Sequence, residues 1–258
     1  MTIPKIIFKE MSLKENIELI NWALSEDNKT LDVYKYTIDY YPELGKIKNL
    51  SEKEIEKKVS EVVTKDYKTY YSKIKSEVNR YNQIWNKYNN DYFTSLTKYL
   101  HISWPENHSI IEAKVGLIPV FPRWLETYSF AVSTNLSKEK LIETAAHETC
   151  HFLWFEKWHN LYPKCPKREY NSPYIPWKYS EMVVDPILNS LEINNIFNNL
   201  FKEKAYDSFY ELKYNNEYVM DVLKDIYKTN ERIEEKIKKG YEYVKIVLEK
   251  SEDDMIKM

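Results

Sequence analysis

The chain has 258 residues, with 38 lysines and arginines against 40 aspartates and glutamates, for a net charge of −2. Such a balance gives no electrostatic ground for a nucleic-acid or anionic-membrane partner. Three glycines leave no run from which a phosphate-cradling or dinucleotide-binding loop could be made.

The length suffices to bury a core without help from a metal or a disulfide. Two cysteines, Cys150 and Cys165, do not make a disulfide framework and point to a reducing compartment. Lys5, Lys9, Glu10, Lys14 and Glu15 interrupt the first twenty residues, so no signal-peptide core is expected there. No window approaches ~18 uninterrupted apolar residues. A cytoplasmic protein is expected, with no membrane partner, and the sequence carries no signal of oligomeric state.

Taken in chain order, Leu13, Ile17, Ile20 and Leu24 recur at helical spacing within 12–26. A second short helix is expected from about 30 to 40, before Pro42 and Gly45 punctuate. From Ser51 to Ser103 there is neither glycine nor proline. An apolar stripe from Ile55 to Tyr99 predicts one long amphipathic helix, or two hinged near 88–91. Its many tyrosines read as packing surface rather than a base-stacking platform, because charges balance along the stripe. Residues 1–104 are therefore expected to form an N-terminal helical region, a scaffold or partner arm.

"WPENHS" at 104–109 breaks the pattern. A strand is expected within 110–121, with Pro119 best placed at an edge. Within 125–135, Tyr128, Phe130 and Val132 alternate with Ser129, Ala131 and Ser133, the period of a half-exposed strand. Ser137 can cap a helix carrying Leu141, Ile142, Ala145, Ala146, Phe152 and Leu153. Four of the ten prolines fall between 163 and 176, an irregular loop. Helical patterns resume near Lys178, with a polar break at 215–217. The expected class is α+β, predominantly helical, with a small sheet in residues 105–258.

The chemistry concentrates in "HETCH", 147–151. Residues four apart lie on one helical face, about 6 Å apart along the axis, so His147 and His151 can aim imidazole nitrogens at one ion. Glu148, adjacent to the first, could hold a water without ligating the metal. A chance H-E-x-x-H is expected in about one chain per hundred at these frequencies, so more is required. Downstream, Glu181 and Asp185 in "EMVVD" stand four apart in an apolar segment. Glu181 would complete a His₂Glu set, and Asp185 could accept from the free N–H of a ligating histidine. Glu169 is a rival third ligand, in a proline-rich loop with no following helical aspartate. Cys150 points about 100° away from His151 around the helix and suits core packing. A thiolate at Cys165 could cap an open metal position, although an ordinary loop cysteine is the simpler reading.

HETCH followed by EMVVD resembles the gluzincin branch of the zincin metallopeptidases, the thermolysin-like group, over about residues 110–195. The small size and helical wrapping are also similar to the minigluzincins. The resemblance implies a zincin-like catalytic domain over 105–258, flanked by the N-terminal region and C-terminal helices. It implies a zinc ion on His147, His151 and Glu181, with Glu148 as general base, Asp185 supporting His147, and a peptide or protein substrate. It also implies substrate alignment by strand addition, for which "TYSFAVST" is the candidate. No histidine follows His159, so oxyanion stabilisation would fall to a tyrosine: Tyr170, Tyr174 or Tyr179 before Asp185, or Tyr206, Tyr210, Tyr214 or Tyr218 after it. The aminopeptidase signature Gly-Ala-Met-Glu-Asn and a metzincin third ligand are both absent. The alternative is a non-catalytic zinc-fold or helical protein-interaction module.

Overall fold

The computed structural model describes residues 3–25, 28, 32–47, 50–118 and 120–256. Pro119 and the first residues of the helix expected from about 30 lie outside them. The chain divides into two compact units that do not follow its order: one holds 4–89 and 107–144, the other 3, 90–106 and 145–256.

In the first unit, β1 (Lys5–Glu10) leads into α1 (Leu13–Ala23), α2 (Asp32–Tyr40) and the long α3 (Glu52–Trp85). Strands β2 (Ile110–Gly116), β3 (Arg123–Trp124) and β4 (Ser129–Ser133) follow. A capping box starts α1: Glu15 N donates to Ser12 Oγ at 3.2 Å, and Ser12 N donates to Glu15 Oε2 at 2.8 Å. Ile20 and Leu24, from α1 and its C-cap, bury against Tyr41, Leu44, Val59 and Val63. Asn16, fully buried, donates to Met11 O at 3.1 Å and accepts from Leu117 N at 2.8 Å. That closeness requires Gly116, because a Cβ there would meet Asn16 Oδ1 at 2.7 Å and Met11 Sδ at 2.8 Å.

The sheet runs β1-β2-β4-β3, parallel except for the antiparallel outer strand β3. The outer side of β1 is met by asparagines rather than by a strand. Phe8 exchanges two hydrogen bonds with the Asn82 amide, at 3.1 and 2.9 Å. Ile6 N donates to Asn89 Oδ1 at 3.2 Å, and Asn89 Nδ2 donates to Pro4 O at 2.8 Å.

Strand β4 differs from its expected half-exposed character: all five residues are buried. It is an interior strand between β2 and β3, and such strands bury both faces. Small Ser129, Ala131 and Ser133 suit the second face rather than marking solvent. Its far side is engaged, with Ala131 N donating to Pro122 O at 2.9 Å and Arg123 opposite Phe130. Addition of a strand to "TYSFAVST" over 129–131 would displace 122–124, so the sheet's outermost strand here is β3.

In the second unit, α4 (Asn89–Leu100, from Asn90 onward), α5 (Lys138–Leu161, from Ala145 onward) and α6 (Ile175–Leu188) carry the candidate chemistry. After them come α7 (Leu191–Asn194), α8 (Asp207–Glu211), β5 (Lys213–Tyr214), β6 (Glu217–Tyr218), α9 (Val219–Lys228) and α10 (Ile233–Ile256). The expected hinge in the long helical pattern is the break between Trp85 and Asn89. The polar break at 215–217 is a hairpin turn, with Asn215 and Asn216 at φ 50° and 66°. An aromatic core joins α5, α6 and α10: Trp154 stacks on Trp158 at 5.2 Å, and Trp158 meets Tyr241 edge-on at 4.7 Å. Tyr179 donates to Ile237 O at 3.0 Å. Gly240 admits that ring, since a Cβ there would lie 3.1 Å from Tyr179 Cζ and closer still to its hydroxyl. Among the described residues no helix is long and apolar enough to cross a membrane.

Candidate metal centre

Ser137 caps α5 as its sequence predicts, accepting from Lys140 N at 3.0 Å. The helix is enclosed beyond its first turns: Ala145, Ala146, Thr149, Cys150, Phe152, Leu153 and Trp154 are each at most 1% exposed. Cys150 is thus a packing residue, as its helical angle predicts. Tyr92 of α4 donates to Ala146 O at 2.7 Å, immediately before His147. Helix α6 is buried on nearly every side from Tyr179 to Leu188, which brings Glu181 into an apolar interior.

Three ligand-type atoms converge there. His147 Nε2 and His151 Nε2 are 3.1 Å apart, and Glu181 Oε2 lies 3.2 Å from the first and 3.4 Å from the second. No other group of three metal-ligating side chains comes together among the described residues. Hydrogen bonding alone does not account for this triangle. Each neutral ring offers one N–H or one lone pair along its axis, so at most two of the three edges can be hydrogen bonds. A cation satisfies all three. Donor atoms about 2.0–2.1 Å from a tetrahedral ion stand about 3.3–3.4 Å from one another, close to the edges observed. The side chains of His151 and Glu181 are 1% and 2% exposed, and that of His147 is 21% exposed. Two of the three side chains are thus buried and the third, His147, is partly exposed. The residues fit a divalent ion with two nitrogen ligands, one oxygen ligand and a position left over.

Glu148, 7% exposed, lies outside the triangle, on the residue next to a ligand. Asp185, fully buried one turn beyond Glu181, makes its hydrogen bonds elsewhere than to His147, the partner implied by the resemblance. Its Oδ1 accepts from Lys204 N at 2.8 Å and from Asn189 Nδ2 at 3.1 Å, and Lys224 Nζ stands 3.6 Å from Oδ2.

Glu169 and Cys165 are paired with each other, Sγ donating to Glu169 Oε2 at 3.6 Å, and neither joins the triangle. Burial, with Glu169 alongside, pushes the Cys165 thiol above its ordinary pKa, which disfavours the thiolate that metal capping would need.

Two of the candidate tyrosines have hydroxyls engaged by other groups. The hydroxyl of Tyr179 contacts Ile237 O and lies 3.1 Å from that of Tyr227. The Tyr210 hydroxyl accepts from Lys204 N at 2.9 Å and Ala205 N at 3.1 Å. Tyr170 stacks on Phe155 at 4.7 Å, while its hydroxyl lies 3.3 Å from His159 Nδ1. Tyr214 is partly buried beside Lys250, 2.7 Å from its hydroxyl. Tyr174, Tyr206 and Tyr218 are exposed.

Trp177 lies one turn before Glu181, its ring centroid 6.2 Å from that of Tyr206, and Phe209 adds an edge contact to Tyr206 at 5.8 Å. No family model, curated protein or solved structure matches the chain.

Proposed function

We propose that the chain is a zinc-dependent hydrolase of peptide bonds, a metallopeptidase of the gluzincin kind. The observation that carries this reading is the His147–His151–Glu181 triangle, with edges of 3.1–3.4 Å. Two imidazoles and a carboxylate are the ligand set of catalytic rather than closed structural zinc, which takes four protein ligands and is commonly rich in thiolate. A bound zinc ion supplies Lewis acidity, lowering the pKa of water toward about 7 and polarising a carbonyl.

The chain's own residues do the rest. His147 and His151 present Nε2, and Glu181 presents Oε2. The buried surroundings of His151 and Glu181 limit competing water at those two ligands. Glu148 accepts a proton from the attacking water on its carboxylate and returns it to the departing amine. Its place beside His147, without membership of the triangle, suits a base that must not ligate.

The test is metal content and turnover of three proteins. Wild type is expected to hold about one zinc per chain and cleave a peptide library. His147→Ala should lose both. Glu148→Gln should keep the zinc and lose at least about a hundredfold in kcat. Wild type that binds zinc but cleaves nothing, or a Glu148→Gln protein as active as wild type, would overturn the reading.

A further inference from the structure

A hollow of about 510 Å³ is lined by the last turn of α5, the loop that follows it and Tyr241 of α10. That is the size of a small-molecule site. None of His147, His151 and Glu181 lines it. Its walls are largely aromatic, and Glu169 is the acidic side chain among them.

Trp158 stands between Trp154 and Tyr162, one turn away on either side, with centroids at 5.2 and 4.2 Å. Both its faces are therefore covered, and it can turn only an edge to the hollow. The ring faces on offer are those of Tyr162 and Tyr241, both half-buried, inclined at 57° with centroids 5.6 Å apart. A small cation resting in the angle between two such rings lies within about 6 Å of both, the range in which a ring quadrupole attracts it.

The charge around the rings has the matching sign. Glu169 is half-buried, and among the described residues its side chain accepts only from the Cys165 thiol, a weak donor at 3.6 Å. No lysine or arginine among them pairs with it, and a carboxylate drawn partly out of water without a cation is costly. Burial pushes the Tyr241 hydroxyl up to about 12, with Glu169 and Glu249 adding to the rise. Burial raises Tyr162 as well, helped by Glu242 and Glu235. Lys164 also lines the hollow, but it is exposed and can carry its charge into solvent on its flexible stem.

We propose that this hollow binds a small quaternary ammonium ion free in solution, its charge over the Tyr162 and Tyr241 rings and beside the Glu169 carboxylate. The site uses none of the candidate metal ligands and does not depend on the hydrolase reading. A primary ammonium brings three N–H donors that ring faces serve poorly. A quaternary ion has none, and its methyl groups rest on the rings as apolar surface while the charge is still felt.

The test is calorimetric titration of the full chain with choline and with its neutral carbon isostere, in which a tert-butyl group replaces the trimethylammonium. Choline is expected to bind at least about tenfold more tightly. Glu169→Gln should remove most of that difference and leave the alcohol's binding as it was. Tyr241→Phe keeps the ring face and should keep the preference, whereas Tyr241→Leu should lose it. If the leucine variant does not fold, Glu169→Gln decides. Choline that does not bind, that binds no better than the alcohol, or that binds equally well to Glu169→Gln overturns the assignment. Ethanolamine should bind more weakly than choline, and equal affinity would overturn the choice of a quaternary ion. Cosedimentation with phosphatidylcholine vesicles, reversed by choline, would move the ligand to a lipid headgroup and overturn the free-ion assignment.

Discussion

Lys157 of α5 is 6% exposed and forms an ion pair with Glu234 of α10, with His101 O accepting a further bond at 3.3 Å. Burial alone would raise the Glu234 carboxyl, but the Lys157 hydrogen bond and charge hold it below its ordinary value. A depressed folded-state pKa means stability that is present above the unfolded value of about 4.3 and lost as pH falls through the folded value. Lys157→Met is expected to cost about 2–4 kcal/mol at pH 7. The difference should shrink at the lowest pH at which the protein stays folded, as the carboxylate takes up its proton. Equal costs at the two pH values, read from urea unfolding, would show that the pair is not the source. Such partners are invisible in sequence, since Lys157 and Glu234 are separated by 77 residues. The three side chains of the candidate metal centre were legible for the opposite reason: two lie one helical turn apart, and the third follows in a helix apolar enough to be buried. Asp185 was expected to accept from a ligating histidine, but its partner is the backbone of Lys204, which no side-chain pattern announces.

Elements were legible where their period was long. Helices α1, α3, α4 and α5 follow from stripes and caps, and the hinge fell close to its expected place. Strands were harder. In β1 only Ile6 and Phe8 of "KIIFKE" are fully buried, too short an alternation to stand out among its charges. In β4 the serines suggested solvent, whereas they line a strand paired on both sides. Glycine in α10 shows propensity overruled by packing. Exchanging an exposed helical glycine for alanine gains about 1 kcal/mol. At Gly240 the added methyl would strike the Tyr179 ring and hydroxyl, and overpacking of this kind costs about 1–3 kcal/mol. Gly240→Ala should therefore lower the melting temperature, and an unchanged or higher value would show that the ring can move aside.

Across the whole molecule, the chain passes between its two units at 3/4, 89/90, 106/107 and 144/145, an interleaving that local patterns do not encode. The triangle lies entirely in the unit containing 145–256. Zinc at a hundred times its Kd stabilises the state that binds it by about 2.7 kcal/mol. Hydrogen exchange should therefore slow on zinc addition in α6 and the later turns of α5, and least in β1 and β2. Uniform slowing across both units would mean that they unfold as one, and no slowing anywhere would deny the ion a structural hold.

The asparagines beside β1 have a consequence for self-association. A parallel sheet ends in a row of backbone donors and acceptors able to template another chain. Here Asn82 and Asn89 already engage the amides of Ile6 and Phe8 and the carbonyls of Pro4 and Phe8. The sheet is thereby sealed against growth on that side by two neutral side chains rather than by charge, so raising the salt concentration should not unseal it. Asn82→Ala exposes one donor and one acceptor, and light scattering at high protein concentration should then report assemblies that wild type does not form. If the variant stays as dispersed as wild type, the asparagines serve only to anchor the strand.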